Sequence, residues 1–181
     1  MRNWMQRLAR LLRHRWAEGR MQAAVPDELL DRLGRRVAAS EQRHTGEIRI
    51  CVEAGLPLSY VWRDASARER AVALFGKLRV WDTEHNNGVL IYLLLADHAI
   101  EIIADRGLTC VIPADTWEKL AQEMGSAFHD GHYEDGLTQA LGYVTALLHT
   151  HFKVDAGAAP LDGDELPDAP VRLRTGHGFR P

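Results

Sequence analysis

In Trp81-Asp82-Thr83-Glu84-His85-Asn86-Asn87-Gly88-Val89-Leu90-Ile91-Tyr92-Leu93-Leu94-Leu95, a polar segment passes directly into an apolar one. The run of apolar residues that begins at Val89 predicts a buried strand. The polar segment before it carries two carboxylates, an imidazole and two carboxamides within residues 82–87. A rigid strand would hold these groups at its amino end, so we expect a ligand site there.

The apolar strand is expected to return through a two-residue turn at Asp97-His98 into a third strand over residues 99–106. This register puts Leu90 opposite Asp105, and it brings Asp105 beside the loop 82–87. A register error of one residue would turn Asp105 to the other face of the sheet.

Upstream, the pattern predicts one strand, helix, strand unit. Pro26 and the acids after it begin a helix that ends near residue 45, and clean alternation over residues 47–54 predicts a strand. Residues 55–64 are expected to form a loop, and helical spacing returns over residues 66–80. The crossover is long enough to make the first two strands parallel.

Downstream, two amphipathic helices are predicted at residues 113–129 and 133–152, with apolar stripes wide enough to cover a sheet face. From residue 154 the composition turns to Pro, Asp, Gly and Ala without periodicity. We therefore expect residues 26–152 to form the domain and residues 154–181 to form a disordered tail.

Composition excludes several classes of protein. The chain has 181 residues, of which 46% are hydrophobic, and a formal net charge of -3, so bulk electrostatics do not indicate a nucleic-acid partner. Cys51 and Cys110 are far apart in sequence, which argues against a disulfide framework. No glycine loop for phosphate and no nucleophile elbow occurs, so we expect no nucleotide cofactor. No secretory signal and no transmembrane segment is predicted, and a cytoplasmic location is expected.

Residues 1–22 form a predicted basic amphipathic helix, and its first 20 residues hold six arginines and one acid. Such a helix could lay its apolar face on the domain or on a partner. It could also lie on an anionic membrane surface, which would place the chain peripherally at the inner membrane face. The residues expected to make this contact combine apolar and basic side chains, and they are Trp4, Arg7, Leu8, Leu11, Arg13 and Trp16.

Three carboxylates could supply hard oxygen ligands near the amino end of the apolar strand. Asp82, Glu84 and Asp105, with the carboxamides of Asn86 and Asn87, suit Ca²⁺ or Mg²⁺. The alternative is that the loop residues only bond their local backbone and begin a strand. Both interpretations remain open at the level of sequence.

The complete pattern resembles the TPM domain family. The resemblance rests on Asn86-Asn87-Gly88-Val89-Leu90, on Gly107-Leu108, and on a segment in which Phe128, Gly131, Tyr133 and Gly136-Leu137 recur at fixed spacing. It implies an α/β fold, a three-layer α/β/α sandwich with a mixed, mostly parallel, Rossmann-like sheet. It also implies divalent metal near the asparagine loop in some members, and phosphatase activity in some.

This chain departs from the family pattern at the end of the predicted hairpin. Members commonly show Gly-x-Gly-Leu-Glu, whereas this chain reads Asp105-Arg106-Gly107-Leu108-Thr109. His132 stands where an acid is usual. These changes imply altered chemistry at the site.

Two functions follow as expectations. The first is a binding or assembly module associated with a divalent cation and with a partner at residues 1–20. The second is a metal-dependent phosphatase, in which His85 would move a proton and Arg106 would steady phosphate charge.

Overall fold

The computed structural model describes residues 4–154 and 165–174, and at its centre lies a four-stranded sheet in the order β3-β2-β1-β4. The strands are β1 (Ile48–Glu53), β2 (Val89–Leu94), β3 (Ala99–Ala104) and β4 (Val171–Leu173). β1 is parallel to both β2 and β4, whereas β2 and β3 are antiparallel. The sheet is therefore mixed and mostly parallel, as predicted.

Helices cover both faces of this sheet. They are α1 (Trp4–Ala24), α2 (Asp27–Glu41), α3 (Leu58–Trp62), α4 (Ala67–Lys77), α5 (Arg106–Thr109), α6 (Ala114–His129) and α7 (Tyr133–His151). One core cluster joins the sheet to α2, α6 and α7, and a second joins its other face to α3 and α4. Because alternate residues of each strand enter opposite clusters, the three-layer sandwich is confirmed.

The N-terminal helix lies across the end of the sheet where β1 and β2 finish. Met21 enters the core cluster of α2, α6 and α7, while Leu11 packs against the cluster of α3 and α4. Gly55 follows β1, and a Cβ there would lie 2.4 Å from the carbonyl oxygen of His14. α1 therefore closes the carboxyl edge of the parallel strands.

The turn between β2 and β3 corrects the sequence prediction. A 3-10 turn over Leu95–Asp97 and His98 in the left-handed region (φ 49) replace the two-residue loop. The longer turn forms because Ala96 leaves the strand and donates its N–H to the carbonyl of Ala54 at 3.0 Å. Leu90 consequently pairs with Ile103 and not with Asp105. This shift of two positions keeps every side chain on its predicted face.

Two further segments differ from prediction. α3 lies inside the expected loop 55–64, since Pro57 presets φ at its start and Val61 is buried. The expected disordered tail contains β4, because the exposed edge of β1 accepts it and the core buries Leu166 and Leu173. The parts of the tail at 155–164 and 175–181 lie outside the described residues.

Candidate functional site

The polar loop 82–87 lies at the amino end of β2, where β3 also ends. Asp105 donates its backbone N–H to the carbonyl of Gly88 at 2.9 Å, and Gly107 donates to the carbonyl of Asn86 at 2.9 Å. The prediction that Asp105 lies beside this loop is therefore confirmed, although the strand register differs by two.

Gly107 is required by the close approach of the loop. A Cβ at this position would lie 2.5 Å from the carbonyl oxygen of Asn86 and 2.7 Å from that of His85. Only glycine lets the first turn of α5 pack against these two carbonyl groups.

Asp105 has one satisfied and one unsatisfied carboxyl oxygen. It is the N-cap of α5, and its Oδ1 accepts the backbone N–H of Arg106 at 2.7 Å. Its Oδ2 is buried and has no hydrogen-bond partner among the described residues. A buried acceptor of this kind costs free energy unless a donor or a cation meets it.

Arg106 supplies a cation to the loop from within the chain. Its Nε donates to Oδ1 of Asn86 at 2.9 Å. Asn86 adopts a left-handed backbone conformation (φ 52), which asparagine tolerates better than most residues. The carboxamide oxygen of Asn86, which was predicted to bind a metal, thus contacts the guanidinium of Arg106.

Asn87 ties the loop to the segment before β1. Its Nδ2 donates to the carbonyl of Thr45 at 2.9 Å and lies 3.2 Å from the Thr45 hydroxyl. Its own N–H donates to the hydroxyl of Thr83 at 3.1 Å. Oδ1 of Asn87 is buried and, like Oδ2 of Asp105, lacks a described partner.

These two unsatisfied oxygens lie towards opposite faces of the sheet. Gly46, beside Asn87, faces Leu148 of α7, because a Cβ there would meet that side chain at 2.4 Å. Gly88, bonded to Asp105, faces the other layer, where a Cβ would meet the carbonyl of Val80. Alternation along the strands therefore separates the two side chains.

The remaining predicted ligands point to solvent. Asp82 and Glu84 are exposed; Asp82 lies 3.9 Å from Arg79, and the backbone N–H of Glu84 donates to Glu165. His85 is exposed as well. Across the described part of the chain, no group of three or more His, Cys, Asp or Glu side chains could hold a metal. The predicted five-residue ligand set is therefore not assembled.

α1 docks on the domain through its polar face. Arg10 is buried and contacts Asp64 at 2.8 Å, Asp97 at 3.2 Å and the carbonyl of Ala65 at 2.7 Å. His14 is also buried, and its Nδ1 accepts the backbone N–H of Leu56 at 3.0 Å.

The carboxylate of Asp97 is the common partner in this contact. Nε2 of His14 lies 3.3 Å from Asp97 Oδ1, and Arg13 contacts the same oxygen. Burial opposes the charge of Asp97. The hydrogen bond with His14 and the charges of His14, Arg13 and Arg10 outweigh that effect and hold the pKa of the carboxyl well below its usual range.

The apolar face of α1 consequently points outward. Trp4 is 72% exposed and Trp16 is 76% exposed, and Met5, Leu8 and Leu12 between them are exposed too. Two of the predicted contact residues do not belong to this face. Leu11 packs against the core and Arg13 pairs with Asp97, because both lie on the side of the helix that carries Arg10 and His14.

Sequence reasoning missed Arg10 and His14. The sequence did indicate that they share a side of the helix, because they are four residues apart. This side lies away from Trp4 and Trp16. Their partners Asp64 and Asp97 are 54 and 87 positions from Arg10, so the pairing itself had no local signal.

The sequence profile of the TPM domain matches residues 21–147. The chain belongs to the TPM domain family. The matched range contains the loop 82–87 and Asp105, whereas most of α1 and all of β4 lie outside it.

Solved structures share this TPM fold. The BA42 protein from the psychrophilic bacterium Bizionia argentinensis is 26% identical, with a TM-score of 0.66, over 80% of this chain and 92% of that one. The N-terminal domain of a P. gingivalis protein is 20% identical, with a TM-score of 0.53, over 67% of this chain and 76% of that one. A comparison with curated proteins gave no match.

Proposed function

We propose that this TPM domain protein is a peripheral assembly module that docks on an anionic membrane surface through the outward face of α1. The observation that carries the proposal is the inverted docking of the helix. Buried Arg10 and His14 hold it on the domain, so Trp4, Leu8, Leu12 and Trp16 are presented to solvent in a fixed orientation.

The charge of the exposed surface favours anionic lipid over a protein partner. Arg7, Arg15 and Arg20 are exposed and make no ion pair with a described residue, and Glu18 is the only acid of the helix. Each cation near an anionic leaflet contributes about 1 kcal/mol. Tryptophan is suited to the membrane interface, because its ring is apolar and its N–H is polar.

A groove beside the exposed apolar face of α1 also supports membrane docking. It has a volume of about 420 Å³, lies between α1 and the 3-10 turn, and is lined by Leu12, Trp16, Arg20 and His98 among others. Apolar walls with basic groups at the rim suit a lipid headgroup and the first part of its acyl chains. No described helix is long and apolar enough to span a membrane.

Vesicle co-sedimentation of the full chain tests the proposal. We expect binding to vesicles that contain phosphatidylglycerol and no binding to pure phosphatidylcholine. Replacing Leu8 and Leu12 together by Ser should abolish binding without unfolding, since both side chains are half exposed. Binding should also weaken as salt is raised.

Trp62 offers a matched control, because it is 74% exposed, like Trp16, but belongs to α3 and not to the apolar face of α1. Trp62→Ser should bind vesicles like the wild type, whereas Trp16→Ser should not. Equal binding of the two variants, or equal binding to neutral and anionic vesicles, would contradict membrane docking. Retention of a defined protein by the wild type but not by Trp16→Ser would favour the protein partner.

Association with Ca²⁺ or Mg²⁺ is a second candidate function, and it is favoured by the buried, unsatisfied Oδ2 of Asp105. That oxygen fits a hard cation, whereas Asn86 already contacts Arg106 and Asn87 lies on the other face. We propose Asp105 as the central ligand. The melting temperature should then rise with millimolar cation in the wild type and not in Asp105→Asn.

The phosphatase alternative rests on the same carboxylate. If it holds, the protein hydrolyses a generic phosphomonoester in the presence of Mg²⁺, and Asp105→Asn abolishes turnover while Asp82→Asn, at an exposed position, does not. Turnover that persists in Asp105→Asn would exclude this site as its source.

A further inference from the structure

A groove between α2 and α7 is separate from both the loop 82–87 and the α1 surface. It has a volume of about 500 Å³. Its walls are mostly apolar and include Leu141, Gly142 and Ala146. Gly142 leaves the groove open, because a Cβ at this position would meet nothing within 4 Å.

The charged residues of this groove are all basic. Arg36, Arg43 and His149 line it, and none of its described lining residues is acidic. Nη1 of Arg36 donates to the Thr138 hydroxyl at 2.6 Å, which orients that guanidinium. The guanidinium of Arg43 has no ion-pair or hydrogen-bond partner among the described residues.

Arg43 and His149 lie at the same end of the groove. The bridge between His44 and Lys153 brings the segment after α2 beside the end of α7, where these two side chains lie. Arg36 lies inside α2, whereas Arg43 lies just beyond the end of that helix. Arg43 and His149 therefore lie at one end of the apolar groove, and Arg36 lies further along it.

The groove has a rigid floor. Thr145 lines it, and its hydroxyl lies 2.7 Å from the hydroxyl of buried Ser40. Ser40 in turn lies 2.8 Å from Nε2 of His44, whose Nδ1 lies 3.0 Å from the carbonyl of Gly46. This buried network joins α2 to α7 beneath the groove.

We propose that the groove between α2 and α7 binds a small phosphate monoester, with the phosphate between Arg43 and His149 and an apolar body against Leu141 and Gly142. Guanidinium groups recognise phosphate with charge-assisted hydrogen bonds. The apolar walls select an organic phosphate over the free ion, since only the former removes apolar surface from water. This binding is independent of membrane docking.

An NMR titration of the full chain with phenyl phosphate tests the inference. We expect saturable shifts of amide signals in residues 36–43 and 138–149. Arg43→Gln should weaken binding about tenfold, the effect of losing one hydrogen bond to a charged group. Gly142→Leu should abolish binding by filling the groove.

Two variants serve as matched controls. Arg35→Gln removes an arginine from another side of α2, where Asp27, Asp31 and Asp168 line the same surface. Gly76→Leu adds the same bulk at another open helical glycine, on α4. Both should bind phenyl phosphate like the wild type.

Three results would overturn the inference: no saturable shifts in the two helices, unchanged affinity in Arg43→Gln, or equal affinity for inorganic phosphate and phenyl phosphate. If Gly142→Leu fails to fold, Arg43→Gln still decides, because Arg43 is exposed and its removal leaves no cavity. Vesicle binding should be unchanged in Arg43→Gln, which separates this test from that of membrane docking.

Discussion

At the scale of single residues, the loop 82–87 depends on a few atoms that sequence patterns only partly identify. The predicted hairpin register put Asp105 beside the loop 82–87, and the structure places it there. The contact of Arg106 with Asn86 was not predictable, because it depends on which rotamer a long exposed side chain adopts. The loop that was predicted to bind a metal cation thus contacts the positively charged guanidinium of Arg106.

Gly107→Ala should destabilise the domain. The added methyl would lie within 2.7 Å of two carbonyl oxygens, and overpacking of this kind costs about 1 to 3 kcal/mol. Gly142→Ala, in open space inside α7, should instead stabilise by roughly 0.5 to 1 kcal/mol. Urea unfolding of both variants measures the two effects, and a loss in Gly142→Ala equal to that in Gly107→Ala would contradict the assignment.

Arg70→Met should lower the free energy of unfolding by about 3 to 5 kcal/mol, because it leaves the buried carboxylate of Glu53 without its positively charged partner. Arg70 contacts Glu53 at 2.6 and 2.8 Å, and the Tyr92 hydroxyl donates to the same carboxylate at 2.7 Å. Arg32→Met, which breaks the exposed pair with Glu134, should cost less than about 1 kcal/mol. Thermal unfolding compares them, and similar losses would refute a special role for the buried pair.

His44 should make stability depend on pH. Burial, with smaller effects from Arg43 and His149, lowers the pKa of His44 from 6.5 to about 4. Between these values the unfolded chain binds a proton that the folded chain does not, so stability is full above pH 6.5 and falls as pH falls towards 4. The loss should approach about 3 kcal/mol. Urea unfolding from pH 7.5 to 4.5 measures it, and an identical pH dependence in His44→Gln would disprove the attribution.

At the scale of elements, periodicity predicted most helices and strands but not which edges and faces they cover. α3 and β4 are short, and their formation depends on burial of Val61, Leu166 and Leu173 by distant parts of the chain. For α1, periodicity identified the exposed Trp4, Leu8 and Trp16, but it wrongly added Leu11, which packs against the core. It carried no information on Asp64 and Asp97, which bind the opposite face.

Truncation after Val154 tests the contribution of the last strand. It removes β4, exposes the edge of β1, and withdraws two buried leucines, so we expect a loss of about 3 to 6 kcal/mol and concentration-dependent aggregation. Truncation after Arg174 keeps β4 and should retain wild-type stability. Equal melting temperatures for the two truncated chains would show that β4 adds nothing to the fold.

At the scale of the whole molecule, the TPM domain is extended at both ends. α1 closes the carboxyl edge of the parallel strands and β4 covers the free edge of β1. The three-layer architecture was predictable because it follows from alternating strands and amphipathic helices. The orientation of α1 was not, because it is set by ion pairs with residues from two other segments.

The outward orientation of α1 is the central claim, and quenching of tryptophan fluorescence by brominated lipid tests it most directly. In a chain with Trp62, Trp81 and Trp117 replaced by Phe, only Trp4 and Trp16 remain. We predict strong quenching and a blue shift with brominated anionic vesicles, and neither with neutral ones. Emission that stays unquenched with the anionic vesicles, although the protein is folded, would contradict docking through this face.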